Sequence, residues 1–238
     1  MELLKIENLT KIYGSGENEV RALDGVSLRI EEGERVAVAG PNGAGKTTLL
    51  KALAATGASP VQTAVVPQAI PAELAMRVRD FVMLGRTANL SPWHAPGRAD
   101  EEAVDHALAA VDAEGLSGRR MDAISGGERQ RIALAMALAT EAPCLLLDEP
   151  AAHLDFRRRD ELFALLRRLD KTVVMAIHEL PFDTYFFTRV VLMSAGRVIA
   201  DGAPDDVLAE ANISAAYGVP VSVVSRRSAS CRVPTPEI

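Results

Sequence analysis

Gly40-Pro41-Asn42-Gly43-Ala44-Gly45-Lys46-Thr47-Thr48 stands between the apolar run Val36-Ala37-Val38-Ala39 and the helix-forming run Leu49-Leu50-Lys51-Ala52-Leu53. It fills every position of the pattern G-x-x-x-x-G-K-[ST] in the setting that pattern requires, a loop leading from a strand into a helix. Glycines let the backbone close around phosphates, while amide N–H groups and the helix N-terminus face the anion. Lys46 then reaches the β/γ-phosphates and the Thr47 hydroxyl can ligate Mg²⁺. A glycine-rich turn before an ordinary helix would explain the glycines but not Lys46-Thr47 directly after them. The stretch predicts binding of a nucleoside triphosphate within an α/β fold.

Cys144-Leu145-Leu146-Leu147-Asp148-Glu149-Pro150 is a short apolar run ending in two carboxylates and a helix-breaking proline, consistent with a buried parallel strand. Asp148 and Glu149 therefore leave the carboxyl end of a strand, where open α/β sheets place their ligands. Asp148 suits the Mg²⁺ shell and Glu149 a lytic water. Phosphoryl transfer needs neutralising charge together with one group that orients or deprotonates the attacking water. An exposed acidic turn is the bland alternative, and the preceding apolar strand and the upstream Lys46 argue against it.

Between these clusters, Ile124-Ser125-Gly126-Gly127-Glu128-Arg129-Gln130-Arg131 leads into residues 132–138, a segment of strong helix formers. A capping serine with two glycines exposes backbone N–H groups that could hold another phosphate. A protein with one phosphate-binding loop has no obvious use for it in cis. Alone, Ser-Gly-Gly-Glu would be an ordinary N-cap.

The 238 residues are 48 % hydrophobic, enough to bury a full core as one unit or as a main domain with a subdomain. Lysine and arginine number 26 against 32 acidic residues, a net charge of −6, so nothing suggests a nucleic-acid partner. The two cysteines, Cys144 and Cys231, cannot build a disulfide framework and fit a reducing compartment. No apolar run approaches the ~20 residues of a membrane-spanning helix, and the N-terminus lacks a signal-peptide layout. These features predict a cytosolic chain that cannot itself form a pore.

Residues 3–9 and 26–30 read as strands of an amino-terminal sheet. From Pro71 to about Ala123 the composition turns helical, with stretches at 78–84 and 100–111 around a loop rich in proline, glycine and tryptophan. After Pro150, a helix at 156–168, a strand at 172–177, the stretch 181–187 and a strand at 190–193 restore α/β alternation. A Gly196-Arg197 turn and two short helices near 204–210 and 213–217 close the fold. The tail after Val224 is polar.

Taken together, these residues resemble the ATP-binding cassette (ABC) family over about residues 3–224. The resemblance implies a P-loop NTPase fold, the ABC nucleotide-binding domain, with residues 1–224 as a single domain, a helical subdomain inserted at about 71–135 and a tail at 225–238. Gly40, Asn42, Gly43, Gly45, Lys46, Thr47 and Thr48 then look like its Walker A loop, and Leu145 to Glu149 like its Walker B strand with catalytic Glu149. Ser125, Gly126, Gly127 and Glu128 look like its signature motif, with Ile124 and Glu128 where Leu and Gln are common. Tyr13 looks like the aromatic that stacks on adenine, Gln68 in Val-Val-Pro-Gln like the Q-loop glutamine that also approaches the metal, and His178 like the switch histidine near the γ-phosphate. Ala152-His153-Leu154-Asp155 look like the D-loop, with Asp155 among the nucleotide-associated residues. Aromatic stacking and a histidine donor at a strand end are chemically suited to these roles.

One departure matters. Lys46 and Gln68 lie only 22 positions apart, and residues 57–62 lack most of the strand-turn-strand insert usual in cassettes, so a reduced antiparallel β subdomain is expected. The path to Gln68 must be bridged differently.

The family implies a head-to-tail homodimer with two ATP molecules and Mg²⁺ between the copies. It also implies a helical surface around residues 78–95 that grips an integral-membrane permease, an indirect substrate-binding protein, and a peripheral position on the cytoplasmic face of the cell membrane. Met83-Leu84-Gly85-Arg86-Thr87, Ala-His-Leu-Asp and Tyr217-Gly218-Val219-Pro220-Val221 look like the importers of siderophores, haem, cobalamin and related metal chelates. Ala88-Asn89 stand where those proteins often have Pro-His, and Ala151-Ala152 where they often have Thr-Ser. An export cassette and a soluble, non-transport ABC ATPase are the other readings carried forward.

Overall fold

The computed structural model of the protein describes residues 1–56, 63–68, 70–71, 73–89, 95–152, 154–177 and 185–221. Its amino-terminal hairpin pairs β1 (Glu2–Tyr13) antiparallel with β2 (Val20–Glu31), and Leu4, Ile6, Leu23, Val26, Leu28 and Ile30 form its buried face. Both strands run further than the hydrophobic pattern of 3–9 and 26–30 indicated. Register shifts at Ile6/Leu9 and Leu9/Lys11 break strict alternation while keeping the ladder. Among the described residues the antiparallel sheet has these two strands, and residues 57–62, on which the expectation of a reduced β subdomain rested, lie outside them.

The main sheet contains β3 (Arg35–Ala39), β4 (Thr63–Val66), β5 (Cys144–Asp148), β6 (Thr172–Ala176), β7 (Arg189–Ser194) and β8 (Arg197–Gly202) in the order β4-β5-β6-β3-β7-β8. All neighbours are parallel except β7 and β8. The central strands β5, β6, β3 and β7 are apolar on both faces because both faces are covered. Val36, Val38, Cys144, Leu146, Val174, Ala176, Val191 and Met193 pack with α1 (Lys46–Thr56) and the hairpin. Their alternates Ala37, Ala39, Leu145, Leu147, Val173, Met175, Val190 and Leu192 face the helices of the other layer. Burial pushes the Cys144 thiol up to about 12, so it serves as a small core residue.

That second layer is made by α2 (Val78–Met83), α3 (Arg98–Ala110), α4 (Gly126–Ala139) and α5 (Phe156–Arg168). Ile132, Ala133, Leu134, Ala135, Ala137 and Ala139 are all buried, so α4 is enclosed between the sheet and the other helices. α6 (Pro204–Val207) and α7 (Glu210–Tyr217) close the chain, with left-handed Gly218 capping α7. β8 was not read from the sequence. Ala195 and Gly196 both take positive φ, 46° and 76°, the two-residue turn that joins β7 to an antiparallel edge strand. β8 is only half-buried, which blurs its hydrophobic signal. The tail at 225–238 and most of the stretch 181–187 lie outside the described residues.

Candidate functional site

The loop between β3 and α1 is built by three left-handed glycines, Gly40, Gly43 and Gly45, with φ of 146°, 78° and 100°. A Cβ on Gly40 would stand 2.2 Å from the Met193 carbonyl oxygen, and one on Gly45 would stand 2.4 Å from that of Ala22. Close packing against β7 and β2 therefore demands glycine at both, whereas Gly43 faces open space and needs it for φ alone. Asn42 and Gly43 are exposed at the loop tip, and Thr48 lies half-buried in the first turn of α1.

Lys46, 5 % exposed, folds back so that its Nζ donates to the Gly40 and Pro41 carbonyls at 2.9 and 3.2 Å. Nζ also lies 3.9 Å from Glu149 Oε1. Burial pushes the ammonium's pKa below the usual lysine value, and Glu149 and Asp148 pull in the other direction. The Thr47 hydroxyl donates to Asp148 Oδ1 at 3.1 Å. This contact follows from the sheet: Asp148 alternates with Leu146 and Cys144, so it points to the α1 side.

Strict alternation would send Glu149 to the opposite face. Instead it takes φ 49°, a left-handed turn uncommon for a residue other than glycine. Its N–H donates to Ala176 O at 3.2 Å, and its own carbonyl accepts from Ala152 N at 3.0 Å, which hold the turn. Two successive carboxylates thereby reach the same phosphate-binding loop. Gln68, two residues beyond β4, donates from Nε2 to Glu149 Oε2 at 3.2 Å. The shortened path from Lys46 still delivers this side chain to the carboxylate, because β4 pairs directly with β5.

Tyr13 ends β1, half exposed, with Lys11 Nζ 5.7 Å from its ring centre. Tyr13 pairs with Val20, and Ala22 of the same β2 strand abuts Gly45, so this end of the hairpin flanks the loop. The last described residue of the β6 end, Ile177, donates from N to Val38 O at 2.9 Å, between β3 and β5. His178 follows it and lies outside the described residues, as does His153.

A second cluster forms at the start of α4. Glu128 N donates to Ser125 Oγ at 3.3 Å while Ser125 N donates to Glu128 Oε2 at 2.7 Å, a reciprocal cap. These bonds hold the Glu128 carboxyl below its usual range, with Arg119 and Arg131 assisting. Asp155 caps α5, accepting from Arg158 N at 2.9 Å. Gly127 and Arg158 line one cavity of about 230 Å³, with Ser125, Glu128, Arg131 and Leu154 on its wall. Arg158 had no role in the sequence reading. Its signal was the run Arg157-Arg158-Arg159, which resembles an ordinary solvated helix face.

Among the described residues no group of three or more His, Cys, Asp or Glu side chains is arranged to hold a metal alone, and no helix is long and apolar enough to cross a membrane. Residues 23–152 match the family described as ABC transporter. Over 226 residues the chain is 40 % identical to the hemin import ATP-binding protein HmuV of Streptomyces coelicolor, covering 84 % of this chain and 79 % of that protein. Among solved structures, it is similar to an inward-facing metal-chelate type ABC transporter, with TM-score 0.80 and 28 % identity over 92 % of this chain and 90 % of that one. It is also similar to a dimeric ATP-binding cassette bound to ADP and Pi, with TM-score 0.71 and 26 % identity over 84 % and 98 %.

Proposed function

The chain belongs to the ABC transporter family, and on that footing we propose that it is the ATP-hydrolysing subunit that powers import of a metal chelate, of the haem, siderophore or cobalamin kind, through a separate permease. The relative HmuV is named for hemin import, and the similar solved structure is of a metal-chelate type transporter, which support this cargo class. Two copies would meet head to tail on the cytoplasmic face of the membrane; the similar dimeric cassette supports pairing of two copies. A substrate-binding protein would hand over the cargo.

The observation that carries the catalytic reading is the single cluster of Lys46, Thr47, Gln68, Asp148 and Glu149 around the loop. Lys46, buried and held at the Gly40 and Pro41 carbonyls, would turn to the β/γ-phosphates. The loop amides and the α1 N-terminus would face the α- and β-phosphates. Thr47 Oγ1 and Asp148 Oδ1, 3.1 Å apart, match the ~2.9 Å spacing of neighbouring oxygens around octahedral Mg²⁺. Thr47 and Asp148 would hold the ion, with Gln68 alongside. Bound there, Mg²⁺ would neutralise charge on the transferring phosphoryl group. Glu149 would take a proton from the attacking water, with Gln68 Nε2 fixing the carboxylate's orientation. Tyr13 would stack on the adenine, and His178, following the β6 end, would donate to the γ-phosphate. Ser125, Gly126 and Gly127 would face the phosphate held by the other copy, with Glu128 and Asp155 shaping that surface.

Steady-state hydrolysis by the purified chain against Glu149→Gln, with size-exclusion chromatography under ATP, tests the reading. Glu149→Gln should lose about 100-fold or more in turnover while shifting to a dimer with ATP. Retention of most of the activity would remove Glu149 from the base role.

A further inference from the structure

We infer that Arg158 is a nucleotide-contacting residue that works across the dimer, donating to the terminal phosphate of the nucleotide bound by a second copy. The inference rests on the sandwich arrangement proposed above.

The start of α4 is poorly charged for the anion it would receive. Its reciprocal cap occupies the Ser125 N–H, and the Glu128 carboxylate sits 2.7 Å from that nitrogen. A carboxylate in the first turn offsets the roughly half positive charge of a helix N-terminus. A triphosphate approaching Ser125 and Gly127 would therefore meet little net positive charge from the helix itself. Arg131 on the same helix acts on the Glu128 carboxylate, so a further cation would strengthen the anion site.

Arg158 supplies one. A Cβ on Gly127 would stand in van der Waals contact with Arg158, 3.6 Å from Nη1 and 3.8 Å from Cζ, so the guanidinium lies beside position 127. The root of Arg158 is fixed, since its N–H donates to Asp155 Oδ1, while its Nε lies 3.6 Å from Asp155 Oδ2. Among the described residues its Nη groups donate no hydrogen bond, and the side chain is more than half exposed. A planar guanidinium with two uncommitted NH2 groups is suited to a phosphate's paired oxygens.

Three neighbouring arginines are committed, while Arg131, on the same cavity wall, lies near Glu128. Arg129 Nη1 donates to Ile124 O at 2.7 Å, Arg157 pairs with Glu161 at 2.9 Å, and Arg168 pairs with Asp112 at 3.0 Å. Arg158 also touches the residue that caps α5. A phosphate competing with Asp155 for the guanidinium would thereby be felt at the turn that follows Glu149.

The test uses the full chain carrying Glu149→Gln, alone and with Arg158→Gln, Arg158→Lys or Arg157→Gln. Dimer formation is followed by sedimentation across an ATP titration, and nucleotide binding to the monomer by fluorescence of a labelled ATP at low protein concentration. Arg158→Gln should raise the ATP needed for half-dimerisation by about tenfold, the loss of one charge-assisted contact. Arg158→Lys should recover part of it and Arg157→Gln should change nothing. Monomer affinity should stay unchanged, because the loop at Gly40 to Thr48 is intact. Dimerisation of Arg158→Gln at the parent's ATP concentration overturns the inference, as does an equal loss in monomer affinity. Failure of the parent itself to dimerise overturns the sandwich arrangement, and this inference with it.

Discussion

At Gly40 a single added methyl group is expected to decide whether the site exists. Gly40→Ala combines a forbidden φ with a 2.2 Å approach to the Met193 carbonyl, whereas Gly43→Ala meets nothing. We expect Gly40→Ala to lower unfolding free energy by at least about 2 kcal/mol, and Gly43→Ala by about 1 kcal/mol, as read by urea denaturation. Both glycines were visible in the loop pattern; the partner atom that separates them was not, because Met193 is distant in sequence. Lys46 gives a pH signature. Its folded-state pKa is lowered, so the unfolded chain binds the proton more tightly, and stability rises with pH between that lowered pKa and 10.5. Lys46→Met should flatten this rise, measured as denaturation midpoints at several pH values up to 10.5. A rise of unchanged slope in the variant would show that other groups cause it.

At the scale of elements, α4 depends on its first turn and on a close neighbour. Ser125→Ala removes the side-chain half of the cap and should lose about 1 kcal/mol, while Glu128→Gln keeps both bonds and should lose less; thermal melting separates them. The quintet Met83-Leu84-Gly85-Arg86-Thr87 entered only through resemblance, and the fold supplies its reason. A Cβ on Gly85 would stand 2.2 Å from Met136 O of α4. Buried Arg86 donates to Asp100 at 2.9 Å, Ala139 O at 2.8 Å and Glu141 at 2.6 Å, tying the start of α3 to the end of α4. Gly85→Ala should cost about 2 kcal/mol through overpacking, seen as a lower urea midpoint. Helices with a one-sided apolar pattern, such as α5, were legible from sequence to within the bounds observed, 156–168. β8 was not, since a half-buried edge strand mixes polar and apolar residues without a clear period.

On the scale of the whole molecule, the carboxyl ends of β3, β4, β5 and β6 bring together residues far apart in the chain, so nucleotide binding should stabilise the entire fold. Saturating MgATP at about 100 times its dissociation constant should add about 2.7 kcal/mol to Glu149→Gln, read as a raised melting temperature. Chelating the metal with EDTA should abolish hydrolysis by the wild type and reduce that gain, if Thr47 and Asp148 hold Mg²⁺ as proposed. The sequence by itself determined the phosphate-binding loop, the carboxylate pair, the capping serine and the family, because each is a local pattern whose chemistry depends on adjacent residue types. Tertiary structure alone decided that Thr47 meets Asp148, that Gln68 reaches Glu149 over a shortened path, and that Arg158 lies on Gly127. Those contacts depend on strand order, on a left-handed turn at Glu149 and on which helix crosses which, and none of these is encoded in the spacing of neighbouring residues.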